Sequence, residues 1–341
     1  MVIKTKITEM LGIKHPIVAA PMGPFYTNKL TVAVSEAGGL GVLSHVNLQG
    51  KISVDEMKKG MEYVVEHTDK PFGFNIRTAR VQPDAVKLCR QIPRFIMEHP
   101  KIKEQCVYLV TSAGSPRMMY NKYFEKLKET GSPIKHFHVV PSLKLAEKLI
   151  NDGLDGIVVT GSEGGGHQSY ENVSTLVLLQ QIIKLSLDIP IIACGGYATG
   201  EGLASAISMG AEAIAMGSRF ISSRECEFHE NYKNIIINAD GSETEMVTGV
   251  FGPARVWKNK FSKKKNLVGD KEKQLAEESV TSAVNEVKRL EMTYEGNVNE
   301  GSVLVGQSIG IIDSIDSVSN IINTIVKDAE KRLIYAYSNI V

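Results

Sequence analysis

GSEGGGHQS, residues 161–169, is the first of three glycine-rich turns in close succession; ACGGYATGEG follows at 193–202 and AMGSRF at 215–220. The apolar runs IPIIA and AIAM lead straight into the second and third, so these turns close β-type segments. Glycines in that position expose backbone N–H groups, and a helix beginning beside them adds the positive end of its dipole. Together they suit a phosphate. Successive turns of this kind at the ends of the late strands are how a (β/α)8 barrel holds a phosphorylated flavin. His167 follows Gly164, Gly165 and Gly166, with Gly161 just upstream, where little side-chain packing would justify it. A chemical role is therefore the better expectation for this histidine than a local hydrogen bond.

On either side of this stretch, β-branched or apolar runs alternate with helix-like segments over the first 238 residues. Eight runs read as strands: HPIVAAP (15–21), LGVLS (40–44), FGFNI (72–76), CVYLVTSAG (106–114), HFHVVPS (136–142), GIVVTG (156–161), IPIIACGG (189–196) and AIAMGS (213–218). Between them lie helical patterns such as VDEMKKGMEYVVEHT and STLVLLQQIIKLS, several ending in a glycine suited to a left-handed cap. Eight such units predict an α/β fold, a closed TIM barrel spanning residues 1–238. The alternative, an open doubly wound sheet, would carry a glycine-rich turn after its first strand, whereas this strand ends in APMG. Residues 239–300 are charged and read as a small helical addition near the barrel mouth. Residues 301–341 become apolar again, as expected of a segment returning to the barrel.

Lys plus Arg number 39 against 38 Asp plus Glu, a net charge of +1, which argues against nucleic acid or an anionic membrane as partner. Cys89, Cys106, Cys194 and Cys226 show no CxxC or metal spacing and fit reduced thiols. The N-terminus lacks a signal-type apolar run and no stretch approaches a membrane span, so a cytoplasmic protein with a small-molecule substrate is expected. A homodimer is compatible with these features.

Loops after the strand C-termini build the site in such barrels, which nominates the residues closing each run. These are Pro21 and Met22, Asn75, Ser112, Thr160 through His167 (Gly165 included), Gly195 and Gly196, and Ala215, Met216, Gly217 and Ser218. Asn75 could bond the polar edge of a flavin ring and Met22 could lie against its plane. Arg219, Arg224 and Glu225 read as partners that hold loops. His136 and His138 share one face of a strand but lack the further ligands a metal needs. Cys194 reads as a buried small side chain.

HPIVAAPMG, SEAGGLGVLS, KPFGFNI, TSAGSP, GSEGGGH, IPIIACGGYATGEGL, GAEAIAMGSRF and a late GSVLVGQSIG together make the chain resemble, nearly end to end, the FMN-dependent nitronate monooxygenases. These are also called nitropropane dioxygenases, and the group includes related enoyl-ACP reductases and NADH:quinone reductases. The resemblance implies a TIM barrel with noncovalent FMN, its phosphate at the Gly195–Gly196 and Gly217–Ser218 turns, and His167 as active-site base or donor. Asn75, Thr160, Gly165, Gly196 and the Ala215–Ser218 turn fall where the family contacts FMN, although many members carry a longer polar side chain in place of Thr160 and Ala215. APM and TSAGSP resemble the nitronate oxidisers, whereas HFHVVPSLKLAEKL and GSVLVGQ resemble the enoyl-ACP reductases. Nitronate oxidation with O2 is the leading expectation. Reduction of an enoyl thioester or quinone by NAD(P)H is the alternative, and a flavin-storing barrel without turnover is a third reading that the intact His167 disfavours.

Overall fold

Described residues of the computed structural model are 3–79, 82–150, 152–249, 252–265 and 280–340. Their strands, in chain order, are β1 (Ile17–Ala19), β2 (Gly41–Leu43), β3 (Phe72–Arg77), β4 (Cys106–Ser112), β5 (Lys135–Val140), β6 (Gly156–Thr160), β7 (Gly166–His167), β8 (Ile191–Cys194), β9 (Ala213–Met216), β10 (Thr244–Gly249) and β11 (Gly252–Trp257). Eight of them pair in parallel in the order β1-β9-β8-β6-β5-β4-β3-β2. The two ends then meet: Leu40 N–H donates to Ile17 O and Ala19 N–H to Leu40 O, both at 2.9 Å. The result is the expected TIM barrel, and each expected strand overlaps one of these eight.

Its floor is set by two exchanges of side chain for space. A Cβ on Gly73 would lie 2.6 Å from the Tyr108 ring, and one on Gly156 would lie 2.1 Å from the Phe137 ring. Both glycines sit in register with the ring they admit, and the rings stand 5.0 Å apart inside the barrel. Helices cover the outside, several started by a hydroxyl cap: Ser174 accepts from Val177 N–H, and Thr199 from Gly202 N–H.

Residues 239–300, expected to be helical, instead begin with a β-hairpin. β10 and β11 pair antiparallel, and β11 pairs with β7, Ala254 opposite His167 and Arg255 opposite Gly166. The α-helix Val280–Tyr294 lies beyond it in the chain. The alternation in TEMVTG and GPARVW is too short and too interrupted by glycine to outweigh the charged stretch around it. The barrel, the Val280–Tyr294 helix and the C-terminal segment share one apolar core. Tyr294 stacks on Phe25 at 5.1 Å and 7°, clamping its helix to the loop after β1. The last helix, Val318–Ser338, buries Val318, Ile321, Ile322, Ile325, Val326 and Ala329 at helical spacing. It lies so close on the helix Gly200–Ser208 that a Cβ on Gly200 would come 2.6 Å from Ala329 N. No helix among the described residues is long and apolar enough to cross a membrane.

Candidate active site

A cavity of about 350 Å³ opens at the C-terminal end of the barrel strands. Pro21, Met22, Asn75, Ser112, Thr160, Gly165, His167, Gly195, Gly196, Ala215, Gly217 and Ser218 all line it. Met216 does not. Strand alternation turns Ala215 to the cavity and Met216 into the core, where it is 1% exposed, so only the Met216 carbonyl, accepting from Ala20 N–H at 2.9 Å, serves this region.

One side of the cavity is a cradle left clear of side chains. A Cβ on Gly217 would meet only the Ala20 methyl, at 3.9 Å, and one on Gly196 only the Glu163 stem, at 3.6 Å; both would project into open space. Gly195 and Gly196 hold φ of +92° and +86°, a left-handed backbone that side chains disfavour. Ser218 Oγ accepts from Gly306 N–H at 3.1 Å, which leaves the hydroxyl proton to donate into the cradle.

Gly165 is glycine for a different reason. A Cβ there would lie 2.6 Å from the Val305 carbonyl carbon, and one on Gly306 would lie 2.6 Å from Glu163 O. The GSVLVGQ segment thus threads against the GSEGGGH loop, and Gln307 N–H donates to Glu163 O at 2.8 Å. Glu163 spends its own carboxylate on the start of the helix Thr175–Ile183, accepting from Thr175 N–H at 2.7 Å. Arg255 holds the loop from the other side, Nε donating to Ser162 O at 2.6 Å.

On the opposite wall Asn75 is buried, its amide nitrogen donating to Val110 O at 2.8 Å and Ser112 Oγ at 3.2 Å. That fixes the amide and turns Oδ1, an acceptor, toward the cavity. Met22 is positioned by its N–H, which donates to Ser44 Oγ at 2.8 Å.

His167 is fixed by β7 and faces a carboxylate that no spacing in the sequence announces. Glu286, buried in the helix Val280–Tyr294, places Oε1 3.6 Å from His167 Nε2. The hairpin brings the two together across more than a hundred residues of chain. An anionic side chain there faces any positive charge the ring acquires on taking a proton.

Arg219 holds the C-terminal segment, Nη1 donating to Ser314 O at 2.8 Å, and Glu225 accepts from Val318 N–H at 3.0 Å. His136 and His138 both bond Thr111 Oγ1, at 2.9 and 2.8 Å, and burial pushes them down to about 3 and about 4. Burial pushes the Cys194 thiol, which lines the cavity, up to about 11, so it stays protonated.

Behind the Asn75 wall, His45 Nε2 lies 3.2 Å from Asp84 Oδ2, and Gln82 donates to Asp84 Oδ1 at 2.7 Å. Burial opposes ionisation of Asp84, but these bonds outweigh it and hold its carboxyl well below the usual range. A depressed folded value contributes stability above the unfolded pKa of about 4, and that contribution is lost as the pH falls through the folded value. Asp84→Asn should therefore lower Tm at pH 7, with the gap to wild type narrowing as both are melted toward pH 3.

The family described as nitronate monooxygenase matches residues 4–328. The chain belongs to the nitronate monooxygenase family. It is 30% identical to a 5-hydroxy-7a-methyl-1-oxo-octahydro-1H-indene-4-carboxyl-CoA dehydrogenase of Mycobacterium tuberculosis, over 96% of this chain and 97% of that one. It is 27% identical to a probable nitronate monooxygenase of Staphylococcus saprophyticus, over 97% and 99%. Among solved structures, FabK from Thermotoga maritima aligns with a TM-score of 0.82 and 34% identity, over 99% of this chain and all of that one. A nitroalkane oxidase from Streptomyces ansochromogenes shares the fold, with a TM-score of 0.73 at 18% identity, over 97% and 99%. The chain is an oxidoreductase of this family.

Proposed function

We propose that the chain binds FMN noncovalently and oxidises small nitronates with O2, His167 handling the proton on the carbon next to the nitro group. The observation that carries this reading is the convergence of a side-chain-free cradle, a fixed Asn75 acceptor and His167 on one cavity. The residues fit the cofactor: Gly196, Gly217 and Ser218 would take its phosphate, and Asn75 the polar edge of its ring. When bound, FMN supplies the redox carrier between substrate and oxygen.

The remaining work falls to the chain's own side chains. His167, held by β7 at the cavity wall, would accept the α proton of a neutral nitroalkane, and Glu286 faces the resulting positive charge. A substrate arriving as the nitronate has already lost that proton, so His167 then only orients it.

A second reading is favoured by the relatives themselves. The 34% match to FabK and the 30% match to a carboxyl-CoA dehydrogenase support electron exchange at a thioester substrate, with NAD(P)H or another donor. The carbon next to a thioester carbonyl, like that next to a nitro group, carries an acidifiable proton, so His167 keeps its role. Anaerobic mixing of the purified protein separately with a nitronate, NADH, NADPH and an acyl-CoA separates the readings. Bleaching of the flavin band by nitronate alone supports the first, bleaching by a nicotinamide the second. The cofactor released from the protein should have the mass of FMN and not FAD, because the cradle is a single phosphate site and the chain lacks a dinucleotide fingerprint. Release of FAD would remove the basis for both.

A further inference from the structure

Among the described residues that line the cavity, Arg77 is the one lysine or arginine, and it closes the same strand as Asn75, across from the glycine cradle. Its Nε and Nη2 are sealed from solvent. An anion in the cradle is therefore held by neutral donors, backbone N–H and hydroxyl groups, with no cation to share the charge. Ser218 is one such hydroxyl. A second comes from the far end of the chain. Gly306 N–H donates to Ser218 Oγ at 3.1 Å and Gln307 N–H to Glu163 O at 2.8 Å, so these two residues bridge the turn after β9 and the loop after β6. The stem of that same Glu163 is the wall beside Gly196. The chain then turns Ser308 inward: Gln307 is exposed, whereas Ser308 is 8% exposed and lines the cavity. Its hydroxyl bonds no described residue. Unlike the sealed Arg77 nitrogens, its oxygen keeps accessible surface, so a ligand in the cavity can reach it.

We propose that Ser308 donates a hydrogen bond to the phosphate of FMN, so that the C-terminal segment holds the cofactor together with the barrel. This assignment rests on FMN being the bound cofactor, as proposed above. Ser218 and Ser308 then bracket the phosphate, one from the turn after β9 and the other from the GQSIG turn at 306–310. The phosphate thereby ties that turn to the barrel, and a flavin without a phosphate leaves the tie unmade.

Riboflavin, which lacks the phosphate, is the control ligand. The full-length apoprotein is titrated with each flavin and binding is followed by the change in flavin fluorescence. Wild type should prefer FMN. Ser308→Ala should weaken FMN binding roughly 10- to 100-fold, the range of a lost hydrogen bond to a charged group, and leave riboflavin binding unchanged. Thermal melting gives a readout independent of the fluorescence. The two apoproteins should melt together, since the hydroxyl removed bonds nothing in the protein, while a fixed concentration of FMN should raise Tm less in the variant than in wild type. Amide exchange across residues 304–312 reads the tie itself. FMN should slow it more than riboflavin does in wild type, and that difference should shrink in Ser308→Ala. An unchanged ratio of FMN to riboflavin affinity in Ser308→Ala would overturn the assignment, and so would an equal loss for both flavins, which would make Ser308 a packing residue. If Gly217→Val loses the preference for FMN while Ser308→Ala keeps it, Ser308 is excluded and the cofactor assignment stands. A wild type that binds FMN no more tightly than riboflavin, or binds neither, overturns both.

Discussion

His167→Ala is expected to keep its bound FMN while losing turnover of neutral nitroalkanes by a factor on the order of 100 to 10,000, the scale of a missing general base. Activity on preformed nitronates should suffer much less, because that substrate has already given up the proton. β7 contributes backbone pairing that alanine preserves, Ala254 remaining opposite position 167, so the loop should keep its shape. Measuring kcat/KM for both substrate forms in the same variant separates the roles. An equal loss on both would assign His167 to orientation, and no loss on either would reduce it to a loop residue.

Gly217→Val should retain its fold and lose FMN affinity. At Gly217 φ is −103°, ordinary for any residue, and the added Cβ meets only the Ala20 methyl at 3.9 Å before projecting into the cavity. The branched side chain therefore fills the phosphate space without straining the chain. Forcing accommodation costs about 1–3 kcal/mol, or roughly 5- to 150-fold in the dissociation constant for FMN. Gly196→Val is a less clean probe, since φ of +86° adds backbone strain to the steric effect and should lower Tm as well. Titration of the apoprotein with FMN, alongside melting curves, distinguishes the two. Wild-type affinity in Gly217→Val would place the phosphate elsewhere.

Most of the barrel was legible because each strand and its turn are local features. IPIIACGG and AIAMGS combine an apolar run, whose length marks a strand, with the glycines that must follow it. Twelve residues nominated from those turns meet at one cavity for the same reason, since closing a barrel brings all strand C-termini to one end. Met216 lies outside the cavity lining, turned to the core, and a run of four buried residues carries no mark of which face each presents. At Gly165, which lines the cavity, the Val305–Gly306 backbone is what excludes a side chain. A missing Cβ looks the same in sequence whatever fills the space.

The barrel, the glycine cradle and the histidine that stands beside it are all properties of neighbouring residues and of period-two or helical patterns. What surrounds that histidine depends on the packed chain. The β10–β11 hairpin pairs with Gly166 and His167 from some ninety residues away, and the helix behind it delivers Glu286 to 3.6 Å from the ring. Arg77, one cationic residue among 39 in sequence, becomes distinct only when the fold buries its Nε and Nη2 without an acceptor among the described residues. Such pairings leave no periodicity, because their register is set by how the elements pack and which donors are left over once packing is complete.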